Sequence, residues 1–300
     1  MHYEEKEDLL NTVLHNKTAS IAILGSNGIL GSQIVKNLLE NEFHIEEQNS
    51  YRVNEDNFYN FMKKQKKIKF LINCVALRDI SKCEENPSEA FSINSQFPGE
   101  LAYKANFYEI KIIHISTPSV FNTSDSNRSE KKVRIVPESI YGKTKLLGEE
   151  NILKNSTNAK ILRVNFFHLN QTKNNFYRTL INSLLNKKEF IAYEDIYFNP
   201  MYIRDLSKLI LSISESELYG FIHVATNKCF SKYEFSLQVA RLLGYVEHQI
   251  IGKKMEKEFT KEKRSLDTCL KVKKILDNKF PIPSLEETIL NSFSDLETKN

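Results

Sequence analysis

The chain has 300 residues, 41% hydrophobic and 27% charged, with 42 basic against 38 acidic side chains and a formal net charge of +4. That describes a globular chain long enough for one large domain or a core domain with a smaller partner, and the near balance of sign gives nucleic-acid binding no support. No run is long and apolar enough to span a bilayer, and the acidic start, Met1 to Asp8, lacks the basic flank and apolar stretch of a secretory leader, so a cytoplasmic protein is expected.

Residues 1–18 read as an N-terminal extension in which Leu9, Leu10, Val13 and Leu14 share one helical face, suited to packing on the core or on a second subunit. The apolar run 20–24 reads as a strand. It is followed by Gly25, Ser26, Asn27, Gly28, Ile29, Leu30 and Gly31, and then by helical spacing to about residue 41. Strand, glycine turn and helix open a dinucleotide-binding βαβ unit. The glycines let a pyrophosphate approach the main chain, and the helix start offers N–H groups to the anion. A weak second strand at 43–47, a helix at 55–66 with the basic run 63–67 as its solvated end, and a buried strand at 68–73 continue the alternation.

After Asn73, Cys74, Val75 and Ala76 a polar segment runs to Asn86. Pro87 then opens a helix through Phe91, Ile93 and Leu101 that Pro98 and Gly99 should kink. Residues 111–115 form the next buried strand. Strands alternating with helices imply a parallel sheet covered on both faces, with ligands at the carboxyl ends of the strands. A polar loop, 122–132, leads to a helix at 139–149, and a strand at 159–164 follows. Further on, helices are expected at 175–185, 204–214, 231–243 (capped by Ser231), 266–277 and 284–293, with strands at 190–193 and 221–225. The expected division is the 1–18 extension, a dinucleotide-binding domain over 19–165, and a mainly substrate-binding region over 166–300 with some segments returning to the core. Cys74, Cys83, Cys229 and Cys269 are scattered, with no CxxC, and read as reduced and mostly buried; no metal is expected.

Strand ends are where chemistry is expected: the glycine turn, the stretch from Asn73 to Ala76, and Ser116 with Thr117. Tyr141 and Lys145, four apart, project from one face of their helix. Reducing a ketone by hydride transfer leaves an alkoxide that must receive a proton, which a tyrosine can donate. An ammonium one turn away would stabilise the phenolate and lower the tyrosine pKa by roughly one to three units, and Thr117 would orient the carbonyl. His114 and His223 sit in strands and read as satisfied core groups. Arg163 reads equally as a partner for a buried carboxylate or as a cofactor contact.

The chain resembles an extended short-chain dehydrogenase/reductase, most closely the dTDP-4-dehydrorhamnose reductase type, over nearly all of its length after residue 19. The marks are GSNGILGS from Gly25, the strand-end stretch from Leu71 to Asn94, HISTPSVF from His114, YGKTKLLGE from Tyr141, LRVNFF from Leu162, FNPMYIRDLS from Phe198 and KRSLDT from Lys263. The resemblance implies an α/β fold, a Rossmann doubly wound parallel sheet with a smaller C-terminal α/β substrate-binding region. It assigns Thr117, Tyr141 and Lys145 to catalysis. To cofactor binding it assigns residues 25–31, Ala76 and Asn94 together with Tyr141 and Lys145. It implies NADP(H), with NAD(H) as the other choice, the decision lying with Glu46, Glu47 and Arg52 near the second strand. The implied partner is a nucleotide-linked 4-keto-deoxysugar used for polysaccharide or glycoconjugate synthesis, and a homodimer is compatible with it. Two departures stand out: Pro118 and Ser119 replace the family's Asp-Tyr, and Phe166 stands where it carries a Trp. Pro118 argues against a sugar dehydratase, which needs an acidic pair there. A nucleotide-sugar epimerase and a non-catalytic cofactor-binding regulatory subunit remain alternatives.

Overall fold

The computed structural model describes residues 20–41, 45–47, 68–122, 128–131, 135–169, 175–255 and 265–297. Its centre is a six-stranded parallel sheet built from Ser20–Leu24 (β1), Ile45–Glu47 (β2), Ile68–Asn73 (β3), Lys111–Ser116 (β4), Lys160–Val164 (β5) and Gly220–Val224, the tenth strand in chain order (β10). The order across the sheet is β10-β5-β4-β3-β1-β2. The strands are apolar on both faces because helices cover both. Alternation sends Ile21, Ile23, Phe70, Ile72, Ile113 and Leu162 into one core and Ala22, Leu24, Leu71, Ile112 and Ile161 into the other.

The first core is closed by Ile29–Glu40 (α1) through Leu30, Ile34 and Leu38. It runs without a break into the C-terminal region through Tyr177, Phe198, Phe235 and Ile289. The second core is closed by Leu101 and Ala105 and by Ile152. Chain order reverses at β1 and β3, which sit side by side with β2 outside one and β4 outside the other, so a crevice opens beyond their carboxyl ends.

A helix Ile80–Glu85 (α2) lies in the stretch expected as a polar segment, and the interrupted helix expected from Pro87 consists of Pro87–Phe91 (α3), a π-helical turn Ser92–Gln96 and Phe97–Phe107 (α4). Pro98 has no N–H for the carbonyl four residues back, that of Asn94, and the widened turn falls there. The helix after the polar loop, Ile140–Asn155 (α5), extends past the expected end. In the C-terminal region Phe166–Phe167 (β6), Phe176–Leu185 (α6), Phe190–Tyr193 (β7), Tyr197–Phe198 (β8), Met201–Tyr202 (β9), Ile203–Glu215 (α7), Phe230–Ser231 (β11), Lys232–Leu242 (α8), Ile250–Lys253 (β12), Lys273–Asp277 (α9) and Leu285–Glu297 (α10) follow in turn. Ser231 caps α8 in a reciprocal box with Glu234.

Two expectations are corrected here. The helix at 266–277 is only its last five residues, α9. The stretch before it lies extended beside β8: Tyr197 N–H donates to Leu266 O at 2.7 Å, Thr268 N–H donates to Tyr197 O at 2.9 Å, and Arg128 pairs with Asp267 at 2.5 Å. These partners outweigh local helix periodicity. The same extended course brings Cys269 to Cys229, and the two form a disulfide, so the four cysteines are not all free thiols. The extension 1–18, the helix at 55–66, Phe43, His44 and Arg52 lie outside the described residues. Among the described residues no helix is long and apolar enough to cross a membrane.

Candidate active site

The crevice at the carboxyl ends of the strands contains a cavity of about 300 Å³. Its walls are Asn27, Gly28, Ile29, Leu30 and Gly31 on one side, Cys74, Ala76 and Arg78 after β3, Ser116 and Thr117 at the end of β4, Tyr141 and Lys145 of α5, and Val164 and Phe166 after β5. Gly25 and Ser26 form the turn beneath it rather than its wall. Asn94 lies one layer behind.

Gly25 adopts φ +77, which an L side chain rarely takes, and a Cβ on Gly31 would lie 2.2 Å from the Gly25 carbonyl oxygen. The turn therefore closes only with glycine at these two places. No side chain caps α1 at Gly28, so its first N–H groups are presented at the cavity wall. A backbone cradle at a helix start that no side chain caps fits the pyrophosphate of a dinucleotide.

Helix α5 is fixed from three directions. Ser139 Oγ accepts the Gly142 N–H at 3.1 Å, and Glu84 of α2 accepts the Ile140 N–H at 2.7 Å. A Cβ on Gly142 would sit 2.3 Å from Ser119 O and one on Gly148 2.1 Å from Asn94 O, so the helix backbone rests directly on the short turn Pro118–Val120 and on the π-helical turn. Asn94 completes the joint: its Oδ1 accepts the Leu77 N–H at 2.9 Å, and its Nδ2 donates to Leu77 O at 2.9 Å and to Thr144 Oγ1 at 3.2 Å. Asn94, expected among the cofactor contacts, has its amide committed to holding the strand-end loop against α5.

Thr117 caps the short turn Pro118–Val120, accepting the Ser119 N–H at 3.2 Å. The Ser116 hydroxyl is committed elsewhere, donating to Glu149. Glu149 takes Arg163 through two bonds of 2.9 and 2.6 Å, with the guanidinium between the rings of Phe121 and Phe221. Arg163 is thus a buried carboxylate's partner. His223, fully buried beside it, is held neutral with its pKa lowered to about 3 by burial and the neighbouring charge.

Tyr141 and Lys145 both reach the cavity, but Lys145 does not lower the tyrosine as the spacing suggested. Burial pushes the Tyr141 phenol up to about 12, opposed by its hydrogen bond with Thr117 and by the Arg78 guanidinium. Lys145 Nζ is turned inward, donating to Ile115 O at 2.8 Å and lying 2.9 Å from His114 Nε2. Burial lowers Lys145 to about 8, with Glu149 and Cys74 opposing. Sequence reasoning missed Glu84, Gly142 and Gly148 as supports. The two glycines inside a predicted helix were the available signal, since glycine there costs stability unless a close approach requires it.

The sheet and its cleft define a class, the extended short-chain dehydrogenases/reductases, which are NAD(P)-dependent oxidoreductases with a Rossmann-type sheet. Within it the RmlD substrate binding domain family matches residues 19–297, and the chain belongs to that family. It is 26% identical to dTDP-4-dehydrorhamnose reductase of Aggregatibacter actinomycetemcomitans over 231 residues, 74% of this chain and 78% of that protein. It is 27% identical to methionine adenosyltransferase 2 subunit beta of Xenopus tropicalis over 237 residues, 73% of this chain and 70% of that protein. The crystal structure of dTDP-4-dehydrorhamnose reductase from Bacillus anthracis in complex with NADP superposes with a TM-score of 0.80 at 22% identity, covering 93% of this chain and 99% of that one.

Proposed function

We propose that the chain reduces a nucleotide-linked 4-keto-deoxysugar with NADPH, NADH being the second choice of cofactor, as a step in polysaccharide or glycoconjugate synthesis. The observation that carries this reading is the convergence of Thr117, Tyr141 and Lys145 on one cavity whose opposite wall is the glycine turn. The nicotinamide supplies the hydride. Residues 27–31 hold the pyrophosphate at the start of α1, and Ala76, with no bulk beyond Cβ, leaves room at the end of β3.

Tyr141 is the proton donor. A phenol raised to about 12 is fully protonated at neutral pH, the form that can give a proton to a developing alkoxide. Thr117, which lines the same cavity as the phenol, orients the carbonyl. Lys145 as an ammonium stabilises the phenolate left behind and holds ribose hydroxyls, which requires it to turn from His114 toward the cavity. Arg78, exposed at the cavity rim, is placed to meet a substrate phosphate.

The test is a panel of nucleotide-linked 4-keto-deoxysugars with NADPH or NADH, followed at the nicotinamide absorbance band. Stoichiometric oxidation with one class of sugar is expected. Product without net oxidation would point to an epimerase, and tight cofactor binding with no turnover on any sugar to a non-catalytic subunit; either outcome overturns the proposal.

A further inference from the structure

The most deeply buried polar groups near the cavity belong to residues that no substrate could touch. Asn73 and His114 are fully buried and face each other across β3 and β4. The Asn73 amide is fixed from one side, because its Oδ1 accepts the Val75 N–H at 3.0 Å. That leaves Nδ2, which can only donate, 3.1 Å from His114 Nδ1. Reversing the amide would set an NH2 group against the Val75 N–H. His114 Nδ1 is therefore the bare nitrogen, and the single ring proton sits on Nε2.

Nε2 lies 2.9 Å from Lys145 Nζ. An N–H aimed at an ammonium is donor against donor, whereas an amine accepts it through its lone pair and still donates to Ile115 O. An imidazolium would place a donor against Asn73 and another against Lys145. Only one assignment gives every contact both a donor and an acceptor: Asn73 to His114, then His114 to a neutral Lys145.

We propose that Asn73 and His114 form a donor chain that selects the amine form of Lys145 in the cofactor-free protein, making His114 a positioning residue that sets the pH at which the site loses its ammonium. Its significance for turnover rests on the reductase reading, in which Lys145 assists Tyr141. The other groups facing Lys145 are Cys74 after β3, Tyr141 one turn earlier, and Glu149 one turn later, itself tied to Arg163 of β5. Glu149 favours the ammonium, burial and His114 the amine. Protonation of Lys145 from solvent breaks the bond to His114 and frees the ammonium to swing toward the cavity, so charge and position change together.

The experiment is nitrogen-15 NMR of the cofactor-free protein, labelled at histidine and lysine and titrated across the alkaline range. His114 is expected in the Nε2–H form. Lys145 is expected to lose its proton at or below about 8, the value to which burial lowers it. In H114Q the Gln Oε1 can accept from an ammonium, and the Lys145 midpoint is expected to rise by about one pH unit, a roughly tenfold change in proton affinity. A Nδ1–H tautomer in the wild type, or a midpoint that H114Q leaves in place, overturns the proposal. Should H114Q not fold, the wild-type tautomer decides alone. No cofactor is used, so a failure of the reductase reading, seen as absent NADPH oxidation, leaves both values readable.

Discussion

The two ends of the parallel sheet each bury a lysine. At the carboxyl end Lys145 is 1% exposed, and at the amino end Lys160, the first residue of β5, is 0% exposed. Burial lowers both to about 8. Their partners differ. Lys160 donates to Ile213 O at 2.7 Å, to Ser216 O, and to Ser216 Oγ at 3.4 Å, so three acceptors take its three protons. It ties the end of α7 to the amino end of β5, with the Tyr219 ring beside it. Lys145 has one carbonyl and one imidazole, and it borders a cavity shared with a tyrosine and a threonine. A buried, shifted lysine is thus not by itself a catalytic signal; an incompletely committed one beside open space is.

The comparison can be broken in five ways. Tyr141→Phe removes the proton donor and should lower turnover by about two to four orders of magnitude with cofactor affinity kept, as read by single-turnover kinetics and calorimetry. Lys145→Met should lower turnover per folded molecule by about two orders of magnitude, with a stability cost of about 1–3 kcal/mol because His114 Nε2 and Ile115 O lose their partner. Lys160→Met should leave activity per folded molecule unchanged and lower stability by about 1–3 kcal/mol in denaturant unfolding, because Ser216 O loses its lysine donor while Ile213 O keeps those of Ser216. If both methionine variants behave alike, the distinction between the two ends fails.

Gly148→Ala pushes a methyl group to within 2.1 Å of Asn94 O, so α5 must shift and carry Tyr141 and Lys145 with it. A displacement of about 1 Å should cost roughly 10–100-fold in kcat/KM, more than its effect on Tm would suggest. The smallest effect is in pH. Turnover should fall as pH rises through about 8, where Lys145 loses its ammonium. Stability should move the other way. Both lysines have folded pKa values of about 8 against 10.5 in the open chain, so between those limits the unfolded state binds more protons and stability rises with pH. Lys160→Met should flatten part of that rise in denaturant titrations.

Much of this arrangement is legible in the sequence where local rules and the fold agree. β1, β3 and β7 fall at their expected bounds because an apolar run bounded by turns has few other uses. Gly25, Thr117, Tyr141 and Lys145 could be brought together because parallel topology sends successive strand ends to one crevice. Hidden from the sequence were features set by long-range partners: Asp267, whose bond to Arg128 across 139 residues keeps its segment extended, and Cys229 with Cys269, 40 residues apart. His114 reads from the sequence as a satisfied core residue, which it is. That its satisfaction involves Lys145 depends on a rotamer that no spacing rule contains.

The central claim is that this cleft delivers hydride and proton to one carbonyl, and transfer of deuterium tests it most directly. With NADPH deuterated at both C4 positions of the nicotinamide and a nucleotide-linked 4-keto-deoxysugar, the account predicts one deuterium at sugar C4 for each cofactor oxidised. Bound cofactor that is never oxidised, or sugar product carrying no deuterium, would contradict it.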